Sequence, residues 1–319
     1  MREITYAEAG TEALVEEMRR DPKTFVMSTD AAPSLVDEFG EQRIRATPIA
    51  EGAVTGMAIG AAGSGYRPIV NWRIVTFAFV AMDQIVNQAS KIHYMFGGQA
   101  KFPIVFRAIV GGGGKLAAQH SQSPYSMFMN LAGLKIILPS TPYDMKGLLK
   151  SAIRDNNPVI CFEAGRLMGL KGEVPEDDYT IPIGVADVKQ VGTDITIVAI
   201  AWLVHESLAA AEILEKEGIS VEVVDPRSLF PLDTTTIRAS VQKTGRLLIA
   251  DEAGPTAGAS AEIAALATED PDTFASLKAP IKRVCALQVP VPYSPILEDH
   301  VFPDRRRIVE GVKEVMGML

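Results

Sequence analysis

Few residues in this chain can do proton or nucleophile chemistry, and their neighbours narrow the field. Four histidines and two cysteines are the whole supply. His120 lies in "GGGGKLAAQHSQS", just after a glycine run. Glycines let a backbone come bare and close to a ligand, and imidazole titrates near neutral pH. A proton-handling residue at a cleft mouth is one reading of His120, and a loop histidine bonded to backbone is the other. His93 continues the apolar face of a helical segment, while His205 and His300 begin or precede helices, so structural or capping roles suit these three. Glu51 opens the small-residue stretch "EGAVTGMAIGAAG". On the residues alone it is a first-turn charge that complements a helix dipole, although a carboxyl group can also exchange a proton with a weakly basic nitrogen. The run "GGGGK" is not a phosphate-cradling loop: Ile109 stands where the leading glycine is needed, and Leu116 where Ser or Thr must follow the lysine. Cys161 and Cys285 sit in apolar strand-like runs, "VICFE" and "RVCALQV", as reduced core residues do.

These groups need elements to hold them. Short apolar runs at Phe25–Ser28, Pro68–Trp72, Pro103–Ile109, Lys135–Pro139 and Pro158–Glu163 read as strands. Between them, Ala81–Tyr94 carries Met82, Ile85, Val86 and Ala89 on one helical face, and Pro142–Arg154 starts behind the N-cap candidate Thr141. The acidic, proline-bearing stretch "KGEVPEDDYTIPIG" reads as a linker or surface ribbon. A second alternating series follows. Its strands are Ile195–Trp202, Ser220–Val224, Arg246–Asp251 and Ile281–Val289; its helices are His205–Glu217, Thr234–Lys243, Ala259–Thr268 and one from about Arg305. Strands alternating with helices predict α/β architecture with mostly parallel sheets, here two α/β domains over residues 1–178 and 179–319. The formal charge of −8 lacks the basic footprint of a nucleic-acid binder. No apolar run is long enough to span a bilayer and no secretory leader is evident, so a cytoplasmic location is expected.

Several stretches together resemble the beta subunits of thiamine-diphosphate-dependent dehydrogenases acting on 2-oxo acids or acetoin. They are "RATPIAEGAVTGMAIGAAGSGYRPIV", "AMDQIVNQASKIHYMFGG", "PIVFRA", "AAQHSQS", "LPSTPYDMKGLLKSAIRDNNPVI" and "VPVPYSPILE", in family order along the whole chain. "HYMFGG" with "EVPEDDYTIPIG" is most similar to the acetoin branch, and "SAIRDNNPV" is shared with pyruvate dehydrogenases. The resemblance implies a transketolase-like pyrimidine-binding domain followed by a transketolase C-terminal-like domain. It assigns Glu51, in "TPIAE", to a ring nitrogen of the cofactor's aminopyrimidine, where it drives the proton transfer that activates the thiazolium carbon. It places Phe77 against the same ring, although a core phenylalanine beside Phe79 is the competing reading. It turns His120 toward the substrate and the reactive carbon. It also implies a potassium ion held by backbone carbonyls and a carboxylate at Ile104, Ala152, Ile153, Asp155 and Asn157; an ordinary helix cap would account for the same turn.

The family's magnesium motif, Gly-Asp-Gly followed by Asn about 25–30 residues on, does not occur in this chain. The resemblance therefore implies half a cofactor site, completed by an alpha subunit that holds magnesium in an α2β2 heterotetramer. A lipoyl acyltransferase core would be the acyl acceptor. The chain also departs from the family in three places. "FVMSTDAAPSLVDEFGEQR" is shortened near the cofactor cleft, "NWRIVTF" places Arg73 and Val75 where acidic or polar residues are usual, and "LIADEAGPTAGASAEIAA" carries Asp251 in place of a histidine. Two rival functions stay in view: a split two-subunit transketolase, disfavoured by the few histidines, and an inactive regulatory paralogue, disfavoured by the presence of Glu51 and His120.

Overall fold

A computed structural model describes residues 1–318. The chain divides into two compact units. One comprises Met1–Val110 and Met127–Ile183, the other Gly111–Ser126 and Gly184–Leu319.

In the first unit, parallel strands lie side by side in the order Lys135–Ile137, Val159–Ala164, Val105–Val110, Arg67–Ile74, Thr24–Ser28 and Ile44–Ala46. Val159–Ala164 is buried throughout, and so is Thr24–Ser28. Apolar residues on both faces are what a sheet sandwiched between helices requires. An N-terminal strand, Arg2–Thr5, pairs antiparallel with Lys171–Val174, so the expected linker is partly a ribbon that returns to the start of the chain. The helix Tyr6–Arg20 follows it. Thr5 and Glu8 cap each other's backbone N–H groups reciprocally, the Thr-x-x-Glu signature that marks this start in the sequence.

The helix Pro142–Arg154 forms as its pattern predicts, with Thr141 Oγ1 accepting from Asp144 N at 3.0 Å. The expected single helix Ala81–Tyr94 does not form. A 3-10 segment covers Val75–Ala81, a π turn Gln84–Ala89 and a short helix Ile92–Met95. Ser90 N reaches back five residues to Ile85 O at 3.1 Å, while the Ser90 hydroxyl and the Lys91 ammonium both take Val86 O. Side chains that compete for a helix carbonyl disturb the regular ladder. Ile85 and Ala89 are still buried, as periodicity predicts, while Met82 and Val86 are half-buried.

In the second unit the parallel strands Lys282–Cys285, Leu247–Asp251, Ile195–Ala199 and Val221–Asp225 run in that order, and Asp187–Gln190 adds an antiparallel edge. Ile195–Ala199, Val221–Asp225 and Leu247–Asp251 are buried throughout. The segment Gly111–Ser126 is tied into this unit by polar bonds. Gly113 N donates to Glu298 Oε1 at 2.6 Å, Lys115 pairs with Asp299 at 2.6 Å, Ser123 Oγ donates to Glu252 at 3.2 Å, and the Tyr125 hydroxyl donates to Asp251. Gly112 packs so closely on the Phe302 ring that an added Cβ would collide with it. Both cysteines are free and buried.

Candidate active site

The carboxyl ends of three adjacent strands of the first unit open onto a cavity of about 310 Å³. Such crevices, just past the ends of parallel strands, are where α/β sheets bind ligands. Thr29 follows the strand Thr24–Ser28, Thr47 follows Ile44–Ala46, and Asn71 to Ile74 end the strand Arg67–Ile74; all line the cavity. Glu51 and Phe77 line it too.

Glu51 is the first residue of the helix Glu51–Gly63 and is half-buried. Val54, a turn later on the same face, is another wall residue. Thr55 beside it is buried and accepts a hydrogen bond from the Trp72 indole at 3.1 Å. Trp72 in turn stacks on Phe106, with centroids 4.6 Å apart and planes 8° from parallel. The helix carrying Glu51 is thereby fixed to the strand that supplies the opposite wall. Phe77 is half-buried on the 3-10 segment Val75–Ala81, so its ring is divided between core and cavity. A carboxyl group and an aromatic ring in one apolar-walled pocket suit a flat, weakly basic heterocycle. Residue patterns alone did not single out Val54, Thr55 or Trp72; helical spacing from Glu51 could have pointed to the first two.

Arg73 also lines the cavity. Its backbone is left-handed, with φ 65°, and strand pairing shifts register between Asn71 and Ile74. Asn71 Oδ1 accepts from Arg73 N at 2.9 Å and holds this bulge. The Arg73 guanidinium pairs with Asp30.

His120 belongs to the second unit. It ends the short helix Ala117–His120 and is half-buried. Its neighbours Gln119 and Ser121 line another cavity, of about 470 Å³, together with Glu252, Gln288 and Phe302. His93 Nδ1 donates to Ala100 O at 2.6 Å, in keeping with a structural role.

The residues expected around potassium meet at the turn after the helix Pro142–Arg154. Ile104 O accepts from Val159 N at 2.9 Å, and Ala152 O from Asp155 N at 3.3 Å. The carbonyls of Ile153 and Asp155 accept from Arg67 Nη1 at 3.0 and 2.8 Å. The Asp155 carboxylate takes Asn157 N at 2.8 Å, Asn157 Nδ2 at 3.1 Å and the Lys135 ammonium. Burial pushes the Asp155 carboxyl upward, but the bonds from Lys135 and Asn157 prevail and hold it below its ordinary range. Among the described residues, no group of three or more His, Cys, Asp or Glu is placed to hold a metal ion.

Residues 2–169 match the "Transketolase, pyrimidine binding domain" family and residues 184–308 the "Transketolase, C-terminal domain" family. The beta subunit of acetoin:2,6-dichlorophenolindophenol oxidoreductase from Bacillus subtilis (strain 168) is 43% identical, covering 99% of this chain and 98% of the relative. The chain belongs to the beta subunits of the thiamine-diphosphate-dependent dehydrogenases. Among other members of this beta-subunit family, the beta subunit of 2-oxoisovalerate dehydrogenase from the same strain is 43% identical over 99% of both chains. The pyruvate dehydrogenase E1 beta subunit of Rickettsia felis is 42% identical over 98% of both. A solved structure titled as a split gene transketolase, inactive beta4 tetramer, superposes with a TM-score of 0.82 at 25% identity, covering 99% of each chain. The beta-subunit family thus shares its two α/β domains with transketolases. No helix among the described residues is long and apolar enough to cross a membrane.

Proposed function

We propose that this chain is the beta subunit of an α2β2 enzyme that cleaves a 2-oxo acid or acetoin and passes the acyl group to a lipoyl acyltransferase. One observation carries the reading: Glu51 and Phe77 share the cavity at the strand ends, as a site for an aminopyrimidine requires. Thiamine diphosphate supplies a carbon nucleophile and electron sink when bound. Glu51 holds a proton at the pyrimidine ring nitrogen, and Phe77 fixes the plane of that ring. Val54 and Trp72 give the cavity beside Glu51 an apolar wall. His120 stabilises charge at the substrate end; its half-exposed place in the glycine-rich segment supports this role. Magnesium and the diphosphate fall to the alpha subunit, since this sequence has no Gly-Asp-Gly. Potassium is assigned to backbone carbonyls and a carboxylate among Ile104, Ala152, Ile153, Asp155 and Asn157. Arg67 uses one lone pair each on Ile153 and Asp155, and a carbonyl oxygen has two. A cytoplasmic location fits two buried, free cysteines.

The test is calorimetric titration of thiamine diphosphate with magnesium into the single chain and into its assembly with the alpha subunit. Weak or no binding by the single chain and tight binding by the assembly are expected. The assembly should then consume pyruvate, a branched 2-oxo acid or acetoin with an artificial electron acceptor, and acylate a lipoyl domain. Tight binding by the chain alone would remove the shared site, and activity only on sugar phosphates would favour the transketolase reading.

A further inference from the structure

We infer that Arg73 is a specificity-determining residue that binds the carboxylate of the substrate, so that this site takes a 2-oxo acid in preference to uncharged acetoin. The inference rests on the reading of the cavity as the cofactor site and places the substrate at its exposed rim, beside Arg73.

Four observations give Arg73 a purpose other than folding. Arg73 lines the same cavity as Glu51 and Phe77. Its left-handed backbone is one that a bulky L-residue rarely adopts, and the register shift between Asn71 and Ile74 re-aims the side chain at this point. Strain of this kind persists only where neighbours enforce it, and it gathers at ligand-binding positions. The neighbours do enforce it: Asn71 holds the Arg73 N–H, while Trp72 is locked by Thr55 on one side and Phe106 on the other.

The fourth observation is the partner. Asp30 follows Thr29, another wall residue, in the stretch that is shortened relative to the family, while Arg73 lies in the stretch whose usual acidic or polar character is lost. Two separate departures of the sequence therefore meet in one ion pair, whose arginine lines the cavity. That pair is no structural anchor. Both side chains are more than half exposed, at 52% and 64%, where solvent leaves an ion pair little net worth. Such a pair can be exchanged at small cost for a carboxylate carried by a ligand. The planar fork of a guanidinium matches a carboxylate with two parallel hydrogen bonds, which a neutral hydroxyketone cannot offer.

The experiment uses the assembly with the alpha subunit and compares wild type with Arg73→Gln, Arg73→Lys and Asp30→Asn. Steady-state kinetics give the ratio of kcat/KM for pyruvate to that for acetoin. Saturation-transfer NMR on the pyruvate methyl group gives binding independently of turnover. Wild type should favour pyruvate. Arg73→Gln should lower the ratio about tenfold or more, mainly through KM, as expected for a lost charge-assisted hydrogen bond. Saturation transfer to pyruvate should fall in parallel, Arg73→Lys should recover part of both, and Asp30→Asn should lower the pyruvate KM by freeing the guanidinium. Equal losses on both substrates, unchanged saturation transfer in Arg73→Gln, or a wild type that prefers acetoin would overturn the assignment. A wild-type assembly that binds thiamine diphosphate yet consumes none of pyruvate, a branched 2-oxo acid and acetoin would instead overturn the functional reading, and the NMR comparison would still decide whether Arg73 binds the carboxylate.

Discussion

At the scale of single residues, Glu51 and His120 carry separable tasks. Glu51 shares its cavity with Phe77 and Val54, and its carboxyl is the one acid in that wall. Glutamine in its place keeps the shape and loses the exchangeable proton. Glu51→Gln should therefore reduce turnover roughly 100-fold or more while the assembly forms normally, as expected for a positioned acid–base group. His120→Ala should behave differently. Cofactor affinity should stay near wild type, because Glu51 and the ring contacts lie in the first unit, while acyl transfer to a lipoyl domain falls. Titrating thiamine diphosphate into both assemblies, then assaying with the artificial acceptor and with a lipoyl domain, separates the two. Normal turnover in Glu51→Gln would remove it from the mechanism, and lost cofactor binding in His120→Ala would make that histidine structural.

At the scale of elements, the helices Tyr6–Arg20 and Pro142–Arg154 meet through an unusual polar seam. Lys146 and Lys150 are fully buried. Glu16 pairs with both, at 2.7 Å for Lys146, and Asp178 pairs with Lys150 and Arg154. Burial pushes the Glu16 carboxyl upward, but the two ammonium groups prevail and hold it below its ordinary range; Lys150 and then Arg154 do the same for Asp178. A carboxylate whose folded pKa is depressed stabilises the protein above its unfolded pKa, and that stability is lost as pH falls through the folded value. Urea midpoints should thus be flat near neutrality and drop once pH falls below about 4, where free carboxylates take up protons. Glu16→Gln should lower stability at pH 7 by about 1–3 kcal/mol, because buried cations lose a charged partner, and should flatten the acid limb. An unchanged acid limb in this variant would show that the seam does not govern acid unfolding.

The seam also shows what could be read in advance. The helix Pro142–Arg154 was legible from Thr141, Pro142 and its apolar spacing, but nothing local announces that Lys146 and Lys150 are buried. Their partners Glu12 and Glu16 lie more than a hundred residues away. The parallel strands were legible because apolar runs bounded by turn residues repeat along the chain. The π turn at Gln84–Ala89 was not, since it depends on Ser90 and Lys91 competing for one carbonyl. Glu51, Phe77 and His120 came from motif resemblance. Arg73 was visible only as an oddity, because its left-handed φ and its meeting with Asp30 are tertiary facts.

At the scale of the whole molecule, the potassium assignment predicts a change in global stability. A ligand that binds only the folded chain adds about 2.7 kcal/mol at a hundredfold excess over its dissociation constant. The melting temperature should rise with potassium chloride and stay unchanged with tetramethylammonium chloride at equal ionic strength. Matching curves in the two salts would leave the turn at Asp155 as a helix cap closed by Arg67 and Lys135 alone.

The chain leaves the first unit after Val110, returns at Met127 and leaves again after Ile183. Gene fission at the seemingly natural joint near residue 183 would therefore yield two broken pieces. A fragment starting at Gly184 would keep Asp251, which burial holds above its ordinary carboxylate range, and would lose the Tyr125 hydroxyl that donates to it. It would also lose Gly112 from beneath the Phe302 ring, leaving a hole in its own surface. The other fragment would carry residues 111–126 as an internal loop without the unit it folds onto. A laboratory that wants the second unit alone must graft that segment back onto it.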